Sequence, residues 1–176
     1  MRIWFLSLVL LAFASMSEDA RGQARNDDWA KQTASQIEEK IETKHPAAFF
    51  ILAIKKFEEG KRDDATMWFY IGQIRYRAYL LANPNLDRSG DPALFSSLFQ
   101  TIGPAINGYA FGDIPQLVKT IDRSLDWDAK HPDPLTPKSA KRDEVREGLV
   151  KLKSQILAQR DDIRAQRTKN GLENRN

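Results

Sequence analysis

The segment from Asp64 to Ala82 constrains the fold more than any other part of the sequence. Its apolar and aromatic residues cover almost the whole circumference of one predicted helix. A helix that is apolar on all sides is buried in the middle of a fold, because each of its faces needs a packing partner. Asp63 provides an N-cap for this helix, and Asn83 with Pro84 ends it. We therefore expect the other elements of the chain to pack around this segment.

The rest of the chain shows helical periodicity and lacks the alternating polar and apolar runs of strands. Further helices are predicted to begin near Asp27 or Asp28, Pro46, Pro92, Pro115 and Ser139. We predict a kink or a break at Gly103-Pro104, inside the helix that starts at Pro92. Short connections favour antiparallel neighbours. The sequence thus predicts an all-α fold of about six helices in antiparallel hairpins, with a long C-terminal helix.

The chain divides into three segments by composition. Met1 and Arg2 precede an uncharged run over residues 3–13, which is the layout of a secretory signal peptide. We predict a signal peptide over residues 1–24 and export to the periplasm or the medium, with an uncleaved anchor as the alternative. Residues 25–137 form the predicted helical core domain, and residues 138–176 form a basic helix and a frayed tail after Thr168.

Composition and motifs exclude several classes of function. The 176 residues include no cysteine, which removes disulfides, thiolate metal sites and cysteine nucleophiles. No phosphate-binding loop, dinucleotide fingerprint or Gly-x-Ser-x-Gly elbow occurs, so no cofactor is predicted. The net charge of +3 is too small to indicate a polyanionic partner for the whole chain. The basic tail lacks the aromatic residues that single-stranded nucleic acids need for stacking, so no nucleic-acid partner is expected.

The tail, residues 138–176, carries eleven Lys or Arg and six Asp or Glu. Its apolar residues form a narrow seam with spacings of four, three, four and seven: Val145, Leu149, Leu152, Ile156 and Ile163. Two interpretations of this helix are open. It packs on its own domain or on another helix, and in either case its basic residues are available to anionic lipid head groups.

Two of the predicted hairpins resemble the tetratricopeptide repeat, a helix-turn-helix unit, over roughly Pro46 to Trp127. The first hairpin matches its large and small positions and its turn at Phe49, Leu52, Ala53, Gly60, Ala65, Phe69 and Gly72. The second matches at Gly112, Leu117, Ile121 and Ser124. The resemblance implies a concave surface for another protein and implies no chemistry. A small helical bundle with similar packing is the alternative interpretation.

Polar residues of the central helix give a candidate partner surface. Tyr70, Gln73 and Arg77 fall on one helical stripe, and Asn107 and Tyr109 come from the next hairpin. Tyr and Arg are enriched among the residues that dominate binding energy at interfaces. The structural alternative is one solvated stripe beside an ion pair.

Arg75 is a further polar residue of the central helix and lies away from that stripe. Arg75 lies on the apolar side of the helix, so it needs an acidic partner if it is buried, such as Asp113, Asp122 or Asp126.

A competing candidate site lies at the end of the predicted helix that starts at Pro115. Asp126, Asp128, His131 and Asp133 provide oxygen and imidazole ligands within a short stretch, although they match no calcium-loop spacing. The favoured hypothesis is an exported, non-catalytic helical protein that binds another protein, as an adaptor or an immunity-type inhibitor. The alternative is a small envelope enzyme or metal-binding protein that uses Asp126, Asp128 and His131.

Overall fold

The computed structural model describes Trp29, residues 31–136 and residues 140–176. This part of the chain is all-α and contains no strand, as predicted. Its seven α-helices are α1 (Ala34–Glu38), α2 (Ala47–Glu58), α3 (Arg62–Ala82), α4 (Asp91–Ala110), α5 (Ile114–Lys130), α6 (Ala140–Ala158) and α7 (Arg160–Lys169). A short 3-10 helix (Ile41–Thr43) joins α1 to α2. The predicted signal peptide, residues 1–24, lies outside the described residues.

The helix α3 is the central element, and α2, α4, α5 and α6 all pack against it. Residues 68–71 are all buried, and four consecutive buried residues cover a full helical turn. The apolar character of the whole circumference therefore predicted the position of this helix correctly. Among the described helices, none combines the length and the apolarity that crossing a membrane requires.

The hairpin of α2 and α3 shows the close packing that its small residues predict. Gly60 forms the turn with a φ of 81°, a backbone conformation that glycine adopts without steric cost. A Cβ at Gly72 would lie 3.0 Å from the Cβ of Phe49 and 3.0 Å from the ring of Phe50. The absence of a side chain at Gly72 thus lets the two helices approach and places both rings in the core.

The first helix differs from its prediction. It begins at Ala34, because Thr33 and Gln36 form a capping box there, and Asp27 and Asp28 lie outside the described residues. It ends at Glu38, since Lys40 takes a left-handed conformation and a 3-10 turn follows. Ala34, Ile37 and Ile41 are nevertheless buried on one side, as their spacing indicated.

Helix α4 continues through Gly103-Pro104, so the predicted break does not occur. Proline removes one helical N–H, and the carbonyl that loses this bond belongs to Gln100. Gln100 and Pro104 are both exposed, so water can bind that carbonyl without a buried polar group being left alone.

The C-terminal segment folds back on the domain as two helices in place of one. The helix breaks at Gln159, and α6 packs on α3 and α5 through buried Leu149 and Ile156, while Leu152 stays 38% exposed. After α7, Gly171 turns the chain with a φ of 70°. The amide of Arg175 then donates to the carbonyl of Gly112, at 2.7 Å. The end that was expected to fray is therefore bound to the turn between α4 and α5.

Candidate functional site

A buried carboxylate, Asp128 of α5, lies where three arginines meet. Its Oδ1 is 3.1 Å from Arg75 Nε and 3.0 Å from Arg142 Nη2, and its Oδ2 is 2.6 Å from Arg146 Nη1. Arg75 comes from α3, and the other two come from α6. Asp128 therefore joins the central helix to both the α5 helix and the C-terminal segment.

Arg75 is saturated by its surroundings. Besides Asp128, it donates to the backbone carbonyls of Glu42, His131 and Pro132, at 3.0–3.2 Å. Burial lowers the pKa of Arg75 and the charges of Asp128 and Asp133 oppose that shift, with the net direction downward. A buried cation with this many acceptors is a structural centre.

The three predicted partners of Arg75 are wrong. Asp113 caps α5 by accepting from the amide of Gln116, Asp122 binds Lys153, and Asp126 is exposed. Helical spacing indicates the observed partner, Asp128. Ile121, Leu125 and Asp128 lie four and three residues apart, so they share the buried face of the helix.

The second candidate site does not assemble around a common point. Asp126 is exposed, whereas Asp128 is buried among the arginines. The ring of His131 stacks on Trp127 at 4.0 Å, and Asp133 accepts from the backbone amides of residues 135 and 136. Within the part of the chain that the structure describes, no three carboxylate or imidazole groups converge as metal ligands would. The geometry gives this cluster a structural role.

The five predicted partner-binding residues occupy three places. Tyr70 is only 3% exposed, and its hydroxyl lies 3.5 Å from Asn107 Oδ1. Gln73 is half-buried, and Arg77 places its guanidinium over the rings of Phe95 and Phe99.

Tyr109 lies apart from the other four, near the α4–α5 turn. Its hydroxyl donates to Asp63 at 3.0 Å, and its ring faces the guanidinium groups of Arg62 and Arg175. The structure thus brings Tyr70 and Asn107 together, and it places Arg77 and Tyr109 elsewhere.

Asn107 also lines an open groove between the C-terminal half of α4 and the helix α7. The groove has a volume of about 450 Å³ and is lined by Asn107, Phe111, Gln159, Asp162, Ile163, Gln166, Arg167 and Asn170. Six of these eight residues lie beyond Ala158, within residues 138–176, for which the sequence predicts a basic helix and a frayed tail. Ile163 was the available signal, since it continues the apolar seam of α6.

The lining of the groove combines apolar side chains with hydrogen-bonding groups. Phe111 and Ile163 supply apolar surface, and four of the lining residues are amides: Asn107, Gln159, Gln166 and Asn170. A side-chain amide both donates and accepts, so such residues suit the peptide groups of a bound segment. Asp162 and Arg167 add one charge of each sign. Protein interfaces likewise combine apolar and polar side chains.

The burial of Tyr70 is open to a direct spectroscopic test. Desolvation raises the pKa of Tyr70 to about 12. Since this exceeds the unfolded value of about 10, the burial stabilises the protein fully below pH 10, and its contribution is lost as the pH rises toward 12. The difference between the 295 nm titrations of the wild type and Tyr70→Phe should show a phenol that ionises near pH 12. A difference curve centred near pH 10 would mean that the ring of Tyr70 is exposed.

Comparisons with known proteins give a partial match to a protein whose role is uncharacterised. No protein-family model and no solved structure matches the chain. An uncharacterised protein of Haemophilus influenzae (strain ATCC 51907 / DSM 11121 / KW20 / Rd) is 30% identical over 104 residues. The match covers 58% of this chain and 40% of that protein, so the chain spans less than half of that relative's length.

Proposed function

We propose that the chain is an exported, non-catalytic helical protein that binds a segment of another protein, as an adaptor or an immunity-type inhibitor. The observation that carries this proposal is the open groove between α4 and α7, which is lined by Phe111 and Ile163 together with four amide side chains. A binding segment would bury its apolar residue on Phe111 and Ile163 and form hydrogen bonds between its peptide groups and the amide side chains.

The proposed partner surface also includes Gln73 and Arg77 of α3, which lie outside the groove and are separated from it by the buried Tyr70. Asn107 joins the groove to Tyr70, and Gln73 and Arg77 follow Tyr70 at three and seven residues, on the same side of the helix. Arg77 is exposed and rests on Phe95 and Phe99, which holds its side chain in place. A fixed arginine on an aromatic base loses little conformational freedom on binding, which favours a contribution to affinity. Gln73 and Arg77 stay predicted contacts at the edge of the site.

The ion pairs of the C-terminal segment support a protein partner over a lipid surface. Arg142 and Arg146 bind Asp128, and Lys153 binds Asp122 of the same helix α5. Three of the basic residues of the tail are thus directed at acidic residues of the domain. This use of the positive charge leaves less of it for anionic head groups. Export itself rests on the signal-like sequence of residues 1–24.

The proposal is tested by photo-crosslinking in the native host. A benzoylphenylalanine residue replaces Gln166, an exposed residue that lines the groove, in the full-length chain, and a matched variant carries it at Lys151, an exposed position of α6 outside the groove. We expect one predominant protein adduct from position 166 that is absent from position 151. Identical adducts from both positions, or adducts from position 151 alone, would contradict binding in the groove.

A further inference from the structure

Two arginines of the C-terminal segment meet at the turn between α4 and α5, next to the groove. A Cβ at Gly112 would lie 2.7 Å from Arg175 Nη1 and 3.0 Å from Arg167 Nη2. Both guanidinium groups are therefore in contact with one glycine. Arg167 also lines the groove, and Arg175 lies next to Arg167 at Gly112.

These two charges lack an acidic counterpart. Arg167 donates to the backbone carbonyls of Gly108 and Glu173, at 3.0 and 2.7 Å, and is only 8% exposed. Its Nε has no hydrogen-bond partner among the described residues. Across residues 31–136 and 140–176, no carboxylate lies within 4.0 Å of the nitrogens of Arg167 or Arg175.

The surroundings make this arrangement costly for the free protein. Burial lowers the pKa of Arg167, and the charge of Arg175 acts in the same direction. Arg167 is buried, whereas Arg175 beside it is exposed. Two like charges side by side, one of them desolvated, favour the binding of an anion, because an anion offsets both the repulsion and the lost hydration. Arginine also matches the geometry of a carboxylate better than lysine does, since two parallel N–H groups meet its two oxygens.

We propose that the segment bound in the groove is acidic, and that one of its carboxylates binds at Arg167 and Arg175. This inference rests on the proposed function, because it names the chemistry of the same partner. The groove also fixes the orientation of the segment. Asp162 precedes Arg167 by five residues, about 7.5 Å along α7, so the acidic residue of the segment points away from Asp162. The apolar residue of the segment then covers Phe111 and Ile163.

The test is a selection from a random twelve-residue peptide library displayed on phage, with the full chain as the immobilised target. We expect the enriched peptides to share a large apolar residue and a nearby Asp or Glu. Their affinity should fall at least tenfold for Arg175→Glu. It should change less than twofold for Lys169→Glu, which makes the same change of charge at an exposed position of α7 outside the groove.

A second measurement changes the peptide instead of the protein, so its result does not depend on whether Arg175→Glu folds. In each enriched peptide the acidic residue is replaced by Gln or Asn, and the affinity for the wild-type chain should again fall at least tenfold. The enriched peptides can instead lose affinity for an Ile163→Asp variant while neither Arg175→Glu nor the loss of their own acidic residue weakens binding. That result would overturn the acidic segment and leave the groove as the binding site. If all enriched peptides bound the Ile163→Asp variant as tightly as the wild type, both the acidic segment and the groove as the binding site would be overturned.

Discussion

Replacing Asp128 with alanine lowers the free energy of unfolding by about 3–5 kcal/mol, the range expected when one partner of a buried ion pair is removed. The reason lies in the charges that remain. Arg75 stays fully buried without its carboxylate, and Arg142 and Arg146 lose the group that holds α6 on α5. Urea-induced unfolding at pH 7, followed by circular dichroism, measures this loss.

The matched control is Asp126→Ala, two residues earlier on the same helix. Asp126 is exposed, so its removal should change the free energy of unfolding by no more than about 0.5 kcal/mol. If the two variants were equally stable, Asp128 would not be the centre that joins α3, α5 and α6. The pair of variants also separates two carboxylates that the sequence had placed in one candidate site.

Local patterns predicted the centre of the fold well. The apolar circumference of residues 64–82 predicted a buried helix, and Gly60 and Gly72 indicated a tight hairpin with α2. These features depend on helical periodicity and on the small size of glycine, both of which act within a few residues. The same reasoning predicted a kink or a break at Gly103-Pro104. The break does not occur, because the exposure of Gln100 and Pro104 removes the cost of a missing backbone bond.

The partner of Arg75 shows where the sequence was harder to interpret. Five aspartates, Asp113, Asp122, Asp126, Asp128 and Asp133, are candidates for different roles from the sequence, and Asp128 falls in the candidate metal cluster. Which carboxylate meets Arg75 depends on how α5 is rotated against α3, and this rotation is set by the packing of Ile121 and Leu125. The spacing from these residues to Asp128 contained that information. The correct inference required treating a charged residue as part of the core.

The groove could not be predicted from local patterns. It forms because the chain breaks at Gln159 and then returns to Gly112, more than forty residues earlier in the sequence. Asn107 was selected as a partner residue for its type, and the structure places it in the groove. Tyr70 was selected for the same reason, but it is buried beside Asn107. The excess of basic residues after Lys138, which suggested an external anion, is met in part by Asp122 and Asp128 of the domain itself.

Replacing Ile163 with aspartate should weaken binding of the cross-linked partner at least tenfold. Full burial of an isoleucine contributes about 1.5–3 kcal/mol, and each 1.4 kcal/mol corresponds to a factor of ten in the dissociation constant. The new carboxylate must in addition lose water inside an apolar part of the groove. Ile163 is half-buried in the free protein, so circular dichroism and thermal unfolding are needed to show that the variant remains folded.

Val150→Asp is the matched control, because it introduces the same charge at an apolar residue of α6 that is 44% exposed and lies outside the groove. The most direct measurement is isothermal titration calorimetry of the partner with the wild type, Ile163→Asp and Val150→Asp. Binding in the groove predicts a dissociation constant at least tenfold higher for Ile163→Asp and within twofold of the wild type for Val150→Asp. An unchanged affinity for a folded Ile163→Asp protein would contradict it.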